Sequence, residues 1–123
     1  MPGKILIIDD EEDMRFFLQT LFRKAGYETE VAVNGDEALG ILEEFKPDMV
    51  TLDILMPKKS GLNFFQTIRE QLGNKELPIL VLSGISGHKE FFDNEALSGP
   101  TIFVEKPIDA EPLLSKVKEL LGD

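Results

Sequence analysis

Four apolar runs in this chain end in polar residues, and these residues are the best candidates for chemistry. Asp9 and Asp10 follow KILII, Asp53 closes MVTL, Ser83 closes ILVL, and Lys106 follows TIFVE. If the runs are parallel strands of one sheet, all five side chains gather at its carboxyl edge, where open α/β sheets bind their ligands. Three carboxylates, a hydroxyl and an ammonium at one place would suit a hard divalent cation and a phosphoryl group.

The apolar runs alternate with segments of helical periodicity along the whole chain. Strands are predicted at Lys4–Asp9, Glu28–Val33, Met49–Asp53, Pro78–Ser83 and Thr101–Val104. Helices are predicted at Glu12–Ala25, Asp36–Phe45, Leu62–Leu72, Lys89–Leu97 and Glu111–Leu121, of which the fourth has the weakest pattern. Strands that alternate with helices predict a parallel sheet covered on both faces, built through right-handed crossovers.

The periodic pattern does not give the order of the strands, but the chemistry expected at their ends constrains it. Asp9, Asp10 and Asp53 can share a cation only if the first and third strands are neighbours. This condition fits the order 2-1-3-4-5, in which the switch point lies between those two strands. The fold class is therefore predicted as α/β, with a five-stranded parallel sheet in a flavodoxin-like, doubly wound (βα)5 arrangement.

Local signals place some of the helix ends. Asn34-Gly35 is predicted as a turn before the second helix, and Pro47 is predicted to end that helix. Asp109 is predicted to cap the last helix. In the first helix, one apolar stripe is predicted to face the core, formed by Met14, Phe17, Leu18, Leu21, Phe22 and Ala25.

Composition narrows the class of protein. The 123 residues correspond to one domain of ordinary size, predicted to span residues 1–123. A net charge of −10 argues against general nucleic-acid binding, which depends on neutralising phosphates. No apolar run is long enough to cross a membrane, and no signal-peptide core follows the first residues. The absence of Cys favours an intracellular protein, so we expect a cytoplasmic domain that binds neither nucleic acid nor membrane.

Four segments together carry a family resemblance. They are IIDDEED at 7–13, LDILMPKKSG at 52–61, VLSG at 81–84 and FVEKP at 103–107. In this order and spacing the chain resembles, over essentially its whole length, the receiver domain of two-component response regulators, in the superfamily of the chemotaxis regulators. The resemblance implies a phosphoprotein of a phosphorelay, in which an aspartate accepts a phosphoryl group.

The resemblance implies a role for each acidic residue. Asp53 would be the nucleophile that becomes an aspartyl phosphate. Mg²⁺, with Mn²⁺ as the alternative ion, would be held by Asp9, Asp10, Asp53 and the backbone carbonyl of Leu55. Asp10 is the better candidate for a direct ligand, and Asp9 is expected to act partly through water. Taken alone, the Asp9-Asp10 pair could simply cap the first helix, a role that can coexist with metal binding.

Three residues near the ends of the last two strands are expected to face the phosphoryl group or to respond to it. Lys106 would supply a positive charge, and Ser83 would donate a hydrogen bond. Considered singly, these would be a solvated lysine and a strand-end hydroxyl. Phe103 occupies the position of the aromatic switch in the family, although a plain core aromatic fits the sequence equally well. We expect any switching by Phe103 to use packing, because Phe has no hydroxyl group.

The remaining candidates have structural or partner roles. Gly61 and Pro57 are interpreted as turn residues. The resemblance implies a cis Lys106–Pro107 bond that aims the amine into the site. Phe16 falls off the apolar stripe of the first helix, and we hypothesise that it contacts the phosphodonor.

The sequence therefore predicts a receiver domain that takes a phosphoryl group from a histidine kinase or a histidine phosphotransfer protein. It would signal through a conformational switch to a downstream protein that the sequence does not identify. It is not predicted to be an enzyme, beyond catalysing its own phosphorylation and dephosphorylation. A stand-alone protein and an excised domain are both open. Two rivals are a Mg²⁺-dependent phosphatase with an Asp nucleophile and a pseudo-receiver that binds partners without being phosphorylated.

Overall fold

A computed structural model describes residues 3–53, 67, 76–83, 101–105 and 109–122 of the chain. The strands are β1 (Lys4–Ile8), β2 (Glu28–Ala32), β3 (Met49–Asp53), β4 (Ile79–Ser83) and β5 (Thr101–Glu105). The helices among the described residues are α1 (Glu12–Lys24), α2 (Gly35–Phe45) and α3 (Ala110–Leu121). The predicted helices at Leu62–Leu72 and Lys89–Leu97 lie outside the described residues.

All strand pairings are parallel, and the strands lie in the order β2-β1-β3-β4-β5. The predicted adjacency of the first and third strands is confirmed, with Ile5 opposite Met49 and Ile8 opposite Leu52. The α/β class with a parallel sheet is therefore confirmed. The complete (βα)5 repeat stays a prediction, because two of its helices fall outside the described part.

Side chains alternate between the two faces of the sheet, and each face has its own core. On one face, Leu6, Ile8, Val50 and Leu52 pack with Ala38 of α2. Because both faces are covered by helices, the central strands read as nearly continuous apolar runs rather than alternating ones. The opposite core joins strand residues to residues of α1 and α3, namely Ile5, Ile7, Met49, Leu80, Leu82, Leu18, Phe22, Leu113 and Val117.

The buried face of α1 is narrower than predicted. Leu18 and Phe22 are fully buried, whereas Phe17 is 36% exposed and Ala25 is exposed. Successive residues of an α-helix are rotated by about 100° around its axis. Phe17 therefore lies about 120° around the axis from the centre of the face formed by Leu18 and Phe22. The prediction that Phe17 belongs to the core stripe is therefore wrong. Phe16, which was predicted to lie off the stripe, is 70% exposed.

The second and the last helix each begin one residue earlier than predicted, at Gly35 and Ala110. Asn34 is the N-cap of α2, and its Oδ1 accepts a hydrogen bond from the Glu37 N–H at 2.8 Å. Helix α2 consequently begins at Gly35, one residue earlier than predicted, so that Asn34-Gly35 starts the helix rather than forming a separate turn. Asp109 does occupy the N-cap position of α3, but its side chain makes no capping hydrogen bond.

The ends of several strands also differ from the predictions by a residue. Strand β1 ends at Ile8, so Asp9 lies just beyond it, and β2 ends at Ala32 rather than Val33. Such shifts are normal where backbone pairing, rather than side-chain pattern, decides the last residue. No helix within the described ranges is long and apolar enough to cross a membrane.

Candidate metal centre

Asp9 directly follows β1 at the carboxyl edge of the sheet and is completely buried there. Its N–H donates to the carbonyl oxygen of Ala32 at 3.1 Å, which continues the β1–β2 ladder by one residue. Its Oδ1 accepts a hydrogen bond from the Glu11 N–H at 2.9 Å. The N-cap of α1 is Glu11. Asp9 therefore braces the turn that leads into the helix without itself being the cap.

Asp53 is the last residue of β3 and is only 1% exposed. Its backbone is in register with Leu82 of β4, so the acid sits between β1 and β4 at the same edge as Asp9. Asp53 follows Met49 by four positions, which places both side chains on the face covered by α1 and α3. The predicted meeting of the first and third strand ends is thus present in the structure.

Four carboxylates come together at this edge. Asp9, Asp10, Glu11 and Asp53 each offer one oxygen, and these oxygens all lie within 4.8 Å of one another. Asp9 and Asp53 are buried, whereas Asp10 and Glu11 are exposed. At about 4 Å, like charges repel by roughly 1 kcal/mol per pair in water and by more in a less polar environment. A divalent cation would relieve this repulsion.

The donor set fits the metal that the resemblance noted in the sequence implies. Mg²⁺ and Mn²⁺ prefer oxygen ligands, and Mg²⁺ usually keeps several waters while binding only one or two carboxylates. The partly exposed cluster supplies carboxylate oxygens on its buried side and access for water on its exposed side. Asp9, Asp10 and Asp53 are therefore suitable ligands in composition and placement.

Two residues of this region were missed by the sequence analysis. Glu11 joins the cluster because the chain turns back at the N-cap of α1, directly after the Asp pair. Arg15 donates from Nη1 to the carbonyl oxygen of Asp9 at 2.8 Å. The sequence could have indicated Arg15 as a partner of the acidic residues. It is the only Lys or Arg between residues 5 and 22, and it lies two positions after a run of five acids.

The other predicted site residues are described only in part. Ser83 is the last residue of β4, in register with Glu105, so its backbone lies at the same sheet edge as predicted. Phe103 lies within β5, opposite Val81. The side chains of Ser83 and Phe103 lie outside the described part of the structure, as do Leu55, Pro57, Gly61, Lys106 and Pro107.

Three large apolar side chains are exposed among the described residues, and two of them lie close to the metal centre in sequence. Phe16 and Phe17 follow Arg15 on α1, and Val33 follows the end of β2. Among the described residues, these are the large hydrophobic side chains that are exposed, with Phe16 the most exposed at 70%. Single exposed apolar residues are normal on a protein surface, so the contact of Phe16 with a phosphodonor stays a prediction.

Comparison with known proteins identifies the family. A family model described as the response regulator receiver domain matches residues 5–118. Protein Rrf1 of Nitratidesulfovibrio vulgaris is 30% identical over 122 residues, covering 99% of this chain and 85% of that protein. Response regulator MprA of Mycolicibacterium vanbaalenii is 34% identical over 121 residues, covering 98% of this chain. The chain spans about half the length of MprA, 51%.

A solved structure gives the same relationship in three dimensions. The Vibrio cholerae chemotaxis protein CheY4 superposes with a TM-score of 0.86 at 30% sequence identity. The match covers 98% of this chain and all of that one. The similarity therefore extends over nearly the whole chain rather than over one motif.

Proposed function

We propose that this chain, which belongs to the response regulator receiver domain family, accepts a phosphoryl group on Asp53. The reaction would depend on Mg²⁺. The donor would be a histidine kinase or a histidine phosphotransfer protein. The observation that carries the proposal is the placement of Asp53, buried at a strand end with three other carboxylates within 4.8 Å. Carboxylates at this spacing need a cation before an anionic donor can approach.

In the proposed reaction, a carboxylate oxygen of Asp53 attacks the phosphorus of a phosphohistidine. The phosphorus–nitrogen bond of the donor breaks, the histidine recovers the bonding electron pair, and Asp53 becomes an acyl phosphate. The bound metal would supply positive charge for the phosphoryl oxygens. Asp9 and Asp10 would hold it, and the backbone of β1 and β3 keeps the acids at fixed separation. Positioning and charge stabilisation are the main needs of phosphoryl transfer.

The rest of the proposed machinery follows the family resemblance. Lys106 and Ser83 would contact the phosphoryl oxygens, and Leu55 would offer its backbone carbonyl to the metal. Phe103 would respond by repacking. We also propose that residues 1–123 form a single (βα)5 receiver domain acting in the cytoplasm. The output would pass through contacts with a downstream protein, or with a further domain if the chain is part of a longer regulator.

The first test measures the intact mass after incubation with acetyl phosphate and Mg²⁺. We expect wild type to gain the mass of one phosphoryl group only when Mg²⁺ is present, and Asp53→Asn to gain none, because the amide is a far weaker nucleophile. Asp13→Asn is the matched control, since it removes one acidic charge from α1 outside the cluster and should leave the adduct intact.

Other outcomes of this experiment separate the rival functions. Turnover of small phosphomonoesters would favour the phosphatase. The absence of an adduct from both acetyl phosphate and a panel of phosphorylated histidine kinases would favour the pseudo-receiver. An adduct of equal yield in Asp53→Asn would contradict the assignment of the acceptor.

The surface around Phe16 is proposed to dock the phosphodonor. Phe16→Ala is expected to slow phosphotransfer from a protein donor by roughly tenfold, the effect of losing one central aromatic contact of about 1–2 kcal/mol. Phosphorylation by acetyl phosphate, which needs no protein contact, should be unchanged. Equal rates of phosphotransfer from the protein donor to wild type and variant would show that Phe16 makes no such contact.

A further inference from the structure

We propose that Arg15 is a positioning residue for the metal centre and acts through the peptide unit that joins Asp9 to Asp10. Its Nη1 donates to the Asp9 carbonyl oxygen at 2.8 Å, in a partly buried contact. The inference rests on the proposed function only in taking the four-carboxylate cluster as the Mg²⁺ site. It concerns how the ligands are held before any phosphoryl group arrives.

Asp9 is anchored at three of its polar groups. Its N–H donates to Ala32, and its Oδ1 accepts from the Glu11 N–H. Both of these contacts use the backbone of the partner residue, so ordinary substitutions leave them in place. The contact to the Asp9 carbonyl oxygen is different, because its donor is the side chain of Arg15.

The Asp9 carbonyl controls where Asp10 lies. A peptide unit is planar, so fixing the Asp9 carbonyl oxygen also fixes the N–H and the Cα of Asp10. Asp10 is exposed, and none of the described residues donates a hydrogen bond to its carboxylate. Arg15 therefore restrains the position of Asp10 through one peptide plane, and Asp10 is the ligand whose own carboxylate is not held by a hydrogen bond from the described part of the chain.

The charge of Arg15 and its positioning role have opposite effects on Mg²⁺ affinity. Whether Arg15→Ala raises or lowers that affinity therefore distinguishes the two influences. Its guanidinium is a positive charge close to a cation site, so its charge alone weakens Mg²⁺ binding. If charge were its only influence, Arg15→Ala would bind Mg²⁺ more tightly. If Arg15 positions Asp10, the variant binds Mg²⁺ less tightly despite the loss of a repelling charge.

The test titrates MgCl₂ into the unphosphorylated protein by isothermal titration calorimetry, with no phosphodonor present. We expect Arg15→Ala to weaken Mg²⁺ binding by roughly fivefold. Residues that orient metal ligands typically contribute about 10- to 100-fold in affinity, and the lost positive charge offsets part of this. Arg15→Lys keeps the charge and one donor but loses the rigid planar fork, so its affinity should fall between those of wild type and Arg15→Ala.

Arg23→Ala is the matched control. It removes the same charge from the same helix, where Arg23 Nε donates to Thr29 Oγ1 at 2.9 Å, far from the cluster in sequence. We expect Arg23→Ala to bind Mg²⁺ within about twofold of wild type, as expected for an exposed charge largely screened by solvent. Unfolding of each variant by urea shows that the comparison is made between folded proteins.

A second readout needs no metal. The Glu11 N–H bonds to the Asp9 carboxylate, so its hydrogen exchange reports how firmly the turn is held. We expect faster exchange at Glu11 in Arg15→Ala and no change in Arg23→Ala. Unchanged or tighter Mg²⁺ binding by Arg15→Ala, or unchanged Glu11 exchange, would overturn the positioning role alone. Failure of the wild type to bind Mg²⁺ would instead overturn the metal-dependent function together with it.

Discussion

Asp10→Asn is expected to lower the rate of Mg²⁺-dependent phosphorylation by acetyl phosphate by roughly 100-fold, the effect of removing one charged ligand from a divalent cation in a catalytic site. The same change should stabilise the metal-free protein, because Asp10 lies within 4.8 Å of three other carboxylate oxygens. Relief of each of the three repulsions is worth about 1 kcal/mol at low salt and less at high salt. Intact mass against time measures the first effect, and thermal unfolding without metal measures the second.

Asp13→Asn separates this cluster effect from a general change in charge. Asp13 lies in the first turn of α1 but outside the four-carboxylate cluster. A negative charge there interacts favourably with the helix dipole, so its loss should lower stability slightly rather than raise it. A higher unfolding temperature for Asp10→Asn and a lower one for Asp13→Asn would support repulsion between the carboxylates of the metal-free site. Equal shifts of the unfolding temperature in both variants would argue that net charge alone is responsible.

Phe22→Ala is expected to lower the free energy of unfolding by about 3–5 kcal/mol, the usual cost of deleting a buried aromatic side chain and leaving a cavity. Phe22 is completely buried in the core beneath α1. Its ring also meets the Tyr27 ring edge to face, with centroids 6.5 Å apart and planes at 88°. Urea unfolding followed by far-ultraviolet circular dichroism measures the change.

Phe16→Ala is the matched control for the core variant, because it removes the same side chain from the same helix. Phe16 is 70% exposed, so its truncation should change the free energy of unfolding by no more than about 0.5 kcal/mol. Similar losses of stability in both variants would contradict the orientation of α1. A stable Phe16→Ala protein is also what the test of donor docking requires.

Much of the site could be predicted from the sequence because its residues lie at strand ends. The apolar runs of β1 and β3 end at Ile8 and Asp53, and parallel strands bring their carboxyl ends to one edge. The adjacency of β1 and β3 followed from chemistry rather than from propensity, because two acids that share a cation must be neighbours. This reasoning needs only residue type, order and the geometry of a parallel sheet.

Side-chain contacts across turns could not be predicted in the same way. Glu11 enters the acidic cluster because of the path of the chain between β1 and α1, which no periodic pattern encodes. The Arg15 side chain folds back onto the Asp9 carbonyl, although several nearby acids were equally available in the sequence. Long side chains have many rotamers, and packing selects among them.

The sequence by itself determined the α/β class, the parallel sheet and the adjacency of β1 and β3. The period of the hydrophobic residues distinguishes strands from helices, and the acids that follow two strands indicate which strands are neighbours. Only the tertiary structure decided that Phe17 lies outside the core and that Asp9 braces the start of α1. These depend on how a helix is rotated against a sheet and on which groups a turn brings within hydrogen-bonding distance. Such contacts join residues through space, and a one-dimensional pattern does not contain them.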